Sequence, residues 1–539
     1  MTGLAQWDSI NGRQEATSEG RQNDAAAVRQ ERNVDLTLGP DQLLTCERLE
    51  AAARREAPRA QLSEAACTAV CESEAALQTA RDAGVAIYGL TTGFGPFVRY
   101  AAADRGGERH GAGLLAHLAA GVGPDAPDVV VRGAMLLRVQ ALAQGFSGIR
   151  LRTLEAYLGL LASDCVPVTP EIGSVGASGD LIPLSYMARA LTGEGEVRLQ
   201  GVTVSALEAL TRCGLTPCAL DGRDALALTN GTSFLTAYAA LAVARAERLI
   251  ARAEALTGWA YRLLGCRAAA LDPRLHRARG HAGQCQSSRA IREEAYREGD
   301  WEDVARPLQE IYSLRCAPQT LGACRENLSF ARRLIETEMN GVNDNPLTFP
   351  AAAGSEELPA VLHGGNFFSQ QVAFAADALN AALTQAGLLA DRQLDALLDP
   401  RINGGAPLLL AQEPGADSGM AGAQITATAL AAEMRTHTQA YSVATIPTNG
   451  GNQDIVPMGT LAAREALAQT ERLAAILAIV GIALAQLRRR RLQGLAPGAV
   501  GTLPSWMPAY TPFDADRPLR RDIDRIAQHW LCTVCPMPQ

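Results

Sequence analysis

Apolar positions along this chain recur with a helical rather than an extended period. Alanine and leucine return every three or four residues from Ser233 to Leu256, from Gln370 to Leu398 and from Gln424 to Thr438, while β-branched alternation is rare. The pattern predicts a mainly α-helical fold. From Leu473 to Ala485 thirteen residues run almost without polarity before the four arginines Arg488 to Arg491. A membrane span needs about 20 apolar residues, so this segment reads as a helix buried on all sides, which in turn requires a thick central bundle around it. Gly- and Pro-rich stretches near 119–127, 164–180 and 492–512 read as loops. Residues 1–34 are polar without an apolar run and read as a disordered extension. A boundary near residue 220 divides a loop-rich N-terminal domain, 35–220, from a helical bundle domain, 221–539.

Composition narrows the chemistry. Of 539 residues 47% are hydrophobic and 20% charged, and the formal net charge of -8 argues against nucleic acid as a partner. Twelve cysteines are scattered without the dense spacing of a secreted scaffold, which points to reduced thiols in a cytoplasmic protein. Cys532 and Cys535 form a C-x-x-C, but with no second pair nearby they read as ordinary thiols near the end of the chain. The seven histidines never fall at metal-ligand spacing, so no metal is expected. All 49 basic residues are arginine. Without lysine a pyridoxal cofactor has no side chain on which to form its Schiff base, so amine chemistry would need another electrophile.

Ala177-Ser178-Gly179 offers one. Three small residues in a glycine-rich turn allow the amide nitrogen of residue 179 to reach the carbonyl carbon of residue 177, where bulk would block the approach. Loss of two waters, one on ring closure and one from the serine, would leave a methylidene conjugated to an imidazolone. Alone, such a tripeptide more often marks an ordinary turn, and the N-G step at Asn230-Gly231 has the same bland reading. Asp180-Leu181-Ile182-Pro183 looks like a helix start, with Pro183 tolerated in the first turn. Tyr88-Gly89-Leu90-Thr91-Thr92-Gly93-Phe94-Gly95, followed by Pro96, describes a mobile loop carrying a tyrosine.

The run GSVGASGDLIPL from Gly173 resembles the signature of the aromatic amino acid ammonia-lyase and aminomutase family, and similarity extends from roughly Leu36 to Trp530. The resemblance implies a homotetramer with composite active sites and a 4-methylidene-imidazol-5-one (MIO) group formed from Ala177, Ser178 and Gly179. It makes Tyr88 the base of a lid loop. An ordinary tyrosine titrates near 10, so neighbouring positive charge or hydrogen bonds would have to lower its pKa. Asn230 would bond the ring or the substrate amine, and Tyr312 would sit beside the electrophile. Arg315, whose planar fork suits a carboxylate, would anchor the substrate with Asn345. Phe367, Asn449, Asn452 and Gln453 would complete the pocket, the neutral Gln453 standing where the histidine-specific branch carries glutamate.

Selectivity is expected at His117-Leu118, where tyrosine-acting members resemble this chain, because a buried imidazole can hydrogen-bond a substrate phenol. Three departures bear on the pocket. His110-Gly111-Ala112-Gly113-Leu114 replaces L-Q-x-N-L and removes polar side chains from its edge. Ser418-Gly419-Met420-Ala421 replaces S-G-F-M, which shrinks an apolar wall and widens the pocket. Pro457 replaces serine. The reading that results is deamination of L-tyrosine to trans-4-coumarate and ammonia. Alternatives are a tyrosine 2,3-aminomutase giving β-tyrosine, a phenylalanine or relaxed-specificity lyase, and an inactive helical scaffold; no membrane partner is expected.

Overall fold

The computed structural model describes residues 36–55, 58–296, 307–352, 354–492 and 503–533. The extension expected over 1–34, Cys535 and part of the 492–512 stretch lie outside the described residues. The helices that build the bundle and position the site are α1 (Glu108–Leu118), α2 (Asp128–Leu142), α3 (Leu181–Leu191), α4 (Gly222–Thr229), α5 (Ser233–Leu264), α6 (Ala317–Asn340), α7 (Gln370–Leu398), α8 (Ala421–Thr436), α9 (Gly459–Leu492) and α10 (Arg520–Cys532). The fold is mainly helical, as the periodicity predicts.

The bundle is α5, α6, α7 and α9 lying against one another, with α2 on α5, α8 on α7 and α9, and α10 closing the end of α9. Their alanine content lets backbones approach closely while leucine and isoleucine fill the gaps. α5 runs 32 residues and stops at Gly265, whose φ of +70° is the left-handed turn that commonly ends helices. Leu473 to Ala485 lies on α9 and is buried almost throughout. α7 and α9 are each long and apolar enough to cross a membrane, yet 67% and 78% of their most apolar stretches are buried inside the bundle. Apolar side chains from Leu36 to Leu531 share one continuous core.

Two of the stretches read as loops contain short strands. In chain order the strands are β1 (Leu36–Leu38), β2 (Ala60–Leu62), β3 (Val122–Asp125), β4 (Cys165–Pro167), β5 (Pro170–Ile172), β6 (Glu196–Leu199), β7 (Val202–Ser205), β8 (Leu347–Phe349) and β9 (Ala360–Leu362). β3 pairs with β5, and β4, β6 and β7 form an antiparallel sheet. The loop reading of 119–127 and 164–180 is therefore corrected. Strands of three or four residues, rich in Pro and Gly, are too short to display an alternating pattern.

At the end of the bundle Trp530 of α10 is fully buried beside Trp506, with the Arg252 guanidinium 5.1 Å from its ring centre. Trp530→Ala leaves a cavity there and is expected to cost about 3–5 kcal/mol, read as a lowered thermal or urea midpoint. A midpoint equal to wild type would show that α10 does not stabilise the bundle.

Candidate active site

Four helices meet at the turn holding Ala177-Ser178-Gly179. Gly179 has φ +61°, and a Cβ there would lie 2.1 Å from the carbonyl oxygen of Gly231. A Cβ on Gly231 would lie 1.5 Å from Arg138 Nη1, so neither residue accepts a side chain. The Asp180 amide donates to Gly231 O at 2.7 Å, pinning the two strands of chain together. Asp180 stands at the start of α3, where a helix was expected, but its carboxylate does not cap that helix. Instead Oδ1 accepts from Ser174 Oγ at 2.7 Å and from Thr460 Oγ1 of α9 at 2.9 Å, while Oδ2 accepts from the Leu235 amide of α5 at 2.8 Å. Burial pushes its pKa up to about 6 against the pull of these hydrogen bonds. Ser369, preceding α7, donates its hydroxyl to Gly176 O at 2.9 Å. Ala177 is buried and Ser178 opens onto a cavity. A backbone-derived ring fits this arrangement, with room only for hydrogen on Gly179 and the serine carbon facing the space where substrate would lie.

The cavity has a volume of about 880 Å³. Of the expected site residues, Tyr88, His117, Leu118, Ser178, Asn230, Asn345, Phe367, Asn449, Asn452 and Gln453 all line it. The Tyr88 hydroxyl accepts a 2.7 Å hydrogen bond from the Gly95 amide, made possible by the positive φ of +54° at Gly95. Burial outweighs that bond, so the Tyr88 phenol is raised rather than lowered. The downward shift expected for the base is therefore corrected for the single chain. Phe94 packs edge-on to Tyr88 and stacks on His110 with ring centres 4.3 Å apart. His110, which occupies a family leucine position, thus props the loop from beneath. A backbone hydrogen bond to Thr92 supports its ring, while burial holds its pKa below the usual imidazole range.

His117 is exposed to the cavity rather than buried, which corrects the second expectation; it sits in the last turn of α1. Its Nδ1 lies 3.1 Å from Gly113 O. A carbonyl can only accept, so Nδ1 carries the proton and Nε2 presents a lone pair in the neutral ring. A side chain on Gly113 would meet nothing within 4 Å, so the loss of the usual asparagine widens the cavity beside His117; a Cβ on Gly111, by contrast, would lie 2.4 Å from Leu220 O, so that position has no room. Leu118 is buried beside it.

Asn230 ends α4, which begins with the Asp221 carboxylate accepting from the Arg223 and Asp224 amides. Its Nδ2 donates to Asn345 O at 2.9 Å, and Asn345 Oδ1 accepts from the Gly364 amide at 2.7 Å. Arg138 and the Arg223–Asp344 ion pair lie buried behind these asparagines. Met420 is fully buried ahead of α8, and neither it nor Ala421 lines this chain's own cavity.

Tyr312 and Arg315 are not brought to the cavity. They form a short turn in which the Arg315 guanidinium lies 4.5 Å over the Tyr312 ring, and Tyr312 is 71% exposed. Along α7, of 29 residues, Ser369 holds Gly176 at one end and Gln393 donates to Ser313 O near the other. At 1.5 Å per residue those anchor points lie about 36 Å apart. α6, of 24 residues, repeats the geometry with Arg315 before its first turn and Asn345 after its last. Arg315 therefore cannot reach the Ser178 of its own chain. Among the described residues no group of three or more histidine, cysteine or acidic side chains is placed to hold a metal ion.

Residues 44–502 match the sequence profile of the aromatic amino acid lyases. The chain is 39% identical over 466 residues to a tyrosine ammonia-lyase of Cereibacter sphaeroides, covering 83% of this chain and 88% of that protein. It is 37% identical over 469 residues to a histidine ammonia-lyase of Geobacillus thermodenitrificans, covering 86% and 91%. Its fold superposes on the crystal structure of a tyrosine aminomutase from Streptomyces globisporus with a TM-score of 0.83 at 32% identity, covering 92% and 97% of the two chains. With a family profile matching most of its length and relatives of 37% and 39% identity covering over four fifths of it, the chain belongs to the aromatic amino acid lyase family.

Proposed function

We propose that this protein removes ammonia from L-tyrosine to give trans-4-coumarate. The observation that carries the reading is the His117 imidazole, which lines the cavity with its Nδ1 3.1 Å from Gly113 O, so that in the neutral ring Nε2 is the acceptor. A phenol O–H can donate to it, whereas a substrate without that group leaves the lone pair unpaired, at a cost of about 1–3 kcal/mol. The neutral Gln453 in the same cavity suits an uncharged ring.

The methylidene-imidazolone that Ala177, Ser178 and Gly179 would form supplies an electrophile for the substrate amine. Asn230 orients that amine. Tyr88 Oη takes a β-proton, with the Gly95 N–H stabilising the charge on its oxygen. Asn345 holds one side of the carboxylate, and Arg315 from a second copy of the chain supplies the fork. The 36 Å spacing set by α6 and α7 supports a composite site in a homotetramer, as do the exposed Phe97 and Tyr100 on the Tyr88 loop and Tyr312 beside Arg315. The division near residue 220 then separates the electrophile-bearing part from the bundle that presents Arg315 to its neighbour. A second reading, tyrosine 2,3-aminomutase, is favoured by the close superposition on the Streptomyces globisporus aminomutase. In that case ammonia re-adds at the β-carbon before the product leaves.

Incubation with L-tyrosine, L-phenylalanine and L-histidine in competition, with products resolved by mass, is expected to yield mainly 4-coumarate. Dominant β-tyrosine would establish the aminomutase, and dominant cinnamate or urocanate would overturn the role of His117. Ser178→Ala is expected to lose activity together with the two-water deficit in intact mass; an active variant would refute the ring. Gly95→Ala, strained at φ +54° and 3.1 Å from Asn449 Nδ2, is expected to lower kcat about tenfold or more while keeping the mass deficit. Co-expression of Ser178→Ala with Arg315→Leu, each inactive alone, is expected to restore part of the activity, because mixed assemblies contain sites with both residues intact. No recovery would refute the composite site.

A further inference from the structure

The Tyr88 loop is gripped at its base by a residue that the reaction itself does not use. The Tyr88 amide donates to His363 Nε2 at 3.1 Å. Because the donor is an amide, Nε2 must present its lone pair, and the ring is neutral with its proton on Nδ1. The next residue, Gly364, donates its own amide to Asn345 Oδ1 at 2.7 Å. His363 and Gly364 follow directly on β9, which is paired with β8, and Val361 of β9 packs against the cluster containing Ile87, the residue before Tyr88. One two-residue step thus ties the main chain of Tyr88 to the side chain of Asn345.

We propose that His363 is a positioning residue for Tyr88, its Nε2 lone pair fixing the main chain at one end while the Gly95 amide fixes the phenol oxygen at the other. A side chain held at both ends keeps its oxygen in one place as substrate arrives, and transfer of a weakly acidic β-proton is sensitive to displacements of about 1 Å. Protonation of His363 would set N–H against N–H and release the tether. His363 is solvent-exposed, but partial desolvation and the positive charge of Arg223, itself paired with Asp344, both disfavour that protonation and keep the imidazole below its ordinary range. From the other side His110 supports Phe94 and is also held low by burial. The tether is therefore intact at neutral and alkaline pH and is lost as pH falls through the depressed pKa of His363.

The inference rests on Tyr88 acting as the base, and the test separates the two. Full-length wild type, Tyr88→Phe, His363→Leu and His363→Gln are each checked for the two-water mass deficit, so that loss of the ring is not mistaken for loss of position. Steady-state kinetics are then measured from mildly acid to alkaline pH on whichever aromatic amino acid the wild type turns over best. His363→Leu is expected to lower kcat about tenfold, one lost hydrogen bond, with KM changed by less than about twofold. His363→Gln places an acceptor at the same reach but cannot titrate, so it is expected to recover kcat at alkaline pH and to move the acid limb of the profile to lower pH. Wild-type kcat in His363→Leu, or an unmoved acid limb in His363→Gln, would overturn the proposal. An active Tyr88→Phe would overturn the assignment of the base, whereas an inactive Tyr88→Phe beside an unaffected His363→Leu would overturn the tether alone.

Discussion

The close approach of Gly179 to Gly231 is the constraint from which the rest of the site follows. Neither residue tolerates a Cβ, because the first would enter the backbone of the second and the second would enter the Arg138 guanidinium. Such an approach persists only if surrounding elements hold it, since a glycine pair left free loses conformational entropy without compensating contacts. The holding is done by the bundle. α3 starts at Asp180, α5 reaches its carboxylate through Leu235, α9 through Thr460, and α7 begins at the serine that grips Gly176. A large apolar core thereby delivers its rigidity to a turn of a few residues. Preorganisation of this kind is what a backbone-derived electrophile requires, because there is no separate cofactor whose own shape could supply it.

The long helices were legible in the sequence because their period repeats over 16 to 34 residues, as in α8 and α9. The strands were not, since three-residue segments such as Cys165–Pro167 contain no full alternation. The site was legible as motifs, and ten of the expected residues line one cavity. The placement of Arg315 at the opposite end of the bundle from Ser178 was invisible, because motif order along the chain does not say which helix end each motif occupies. Arg138 escaped notice among 49 arginines, all equally plausible as surface charge by type alone. His363 had only a neighbouring glycine pair to mark a turn. Its role depends on pairing with a loop 275 residues away in sequence, which no local pattern records.

Charge is distributed unevenly under the cavity. Arg138 is fully buried, with Nη1 donating to Asn343 Oδ1 at 3.0 Å and more weakly to Asn230 O, and burial lowers its pKa. Arg223 sits beside Asp344, so its charge is largely balanced. The partial excess of positive charge behind Asn230 and Gly231 favours negative charge developing at the turn in front of them. Burial raises the pKa values of both Asp180 and Glu338, but Asp180, at about 6, stays largely ionised at neutral pH and is held by its three hydrogen-bond donors.

The raised pKa of Tyr88 links this electrostatic picture to assembly. In the single chain the phenol faces burial with one amide as compensation, which favours the protonated form and opposes service as a base. A phenol in that state needs a cation nearby before it can ionise and, as phenolate, accept a proton at neutral pH. The cation that the proposed composite site would bring is Arg315, which its own chain leaves about 36 Å from the turn, stacked on an exposed tyrosine. On this argument assembly does two things at once. It closes the carboxylate site, and it lowers the phenol pKa by placing a guanidinium in a cavity from which water has been excluded, where Coulomb interactions are screened less than in bulk solvent. Substrate binding and base activation then depend on the same contact between copies, so an isolated chain would lack both rather than one.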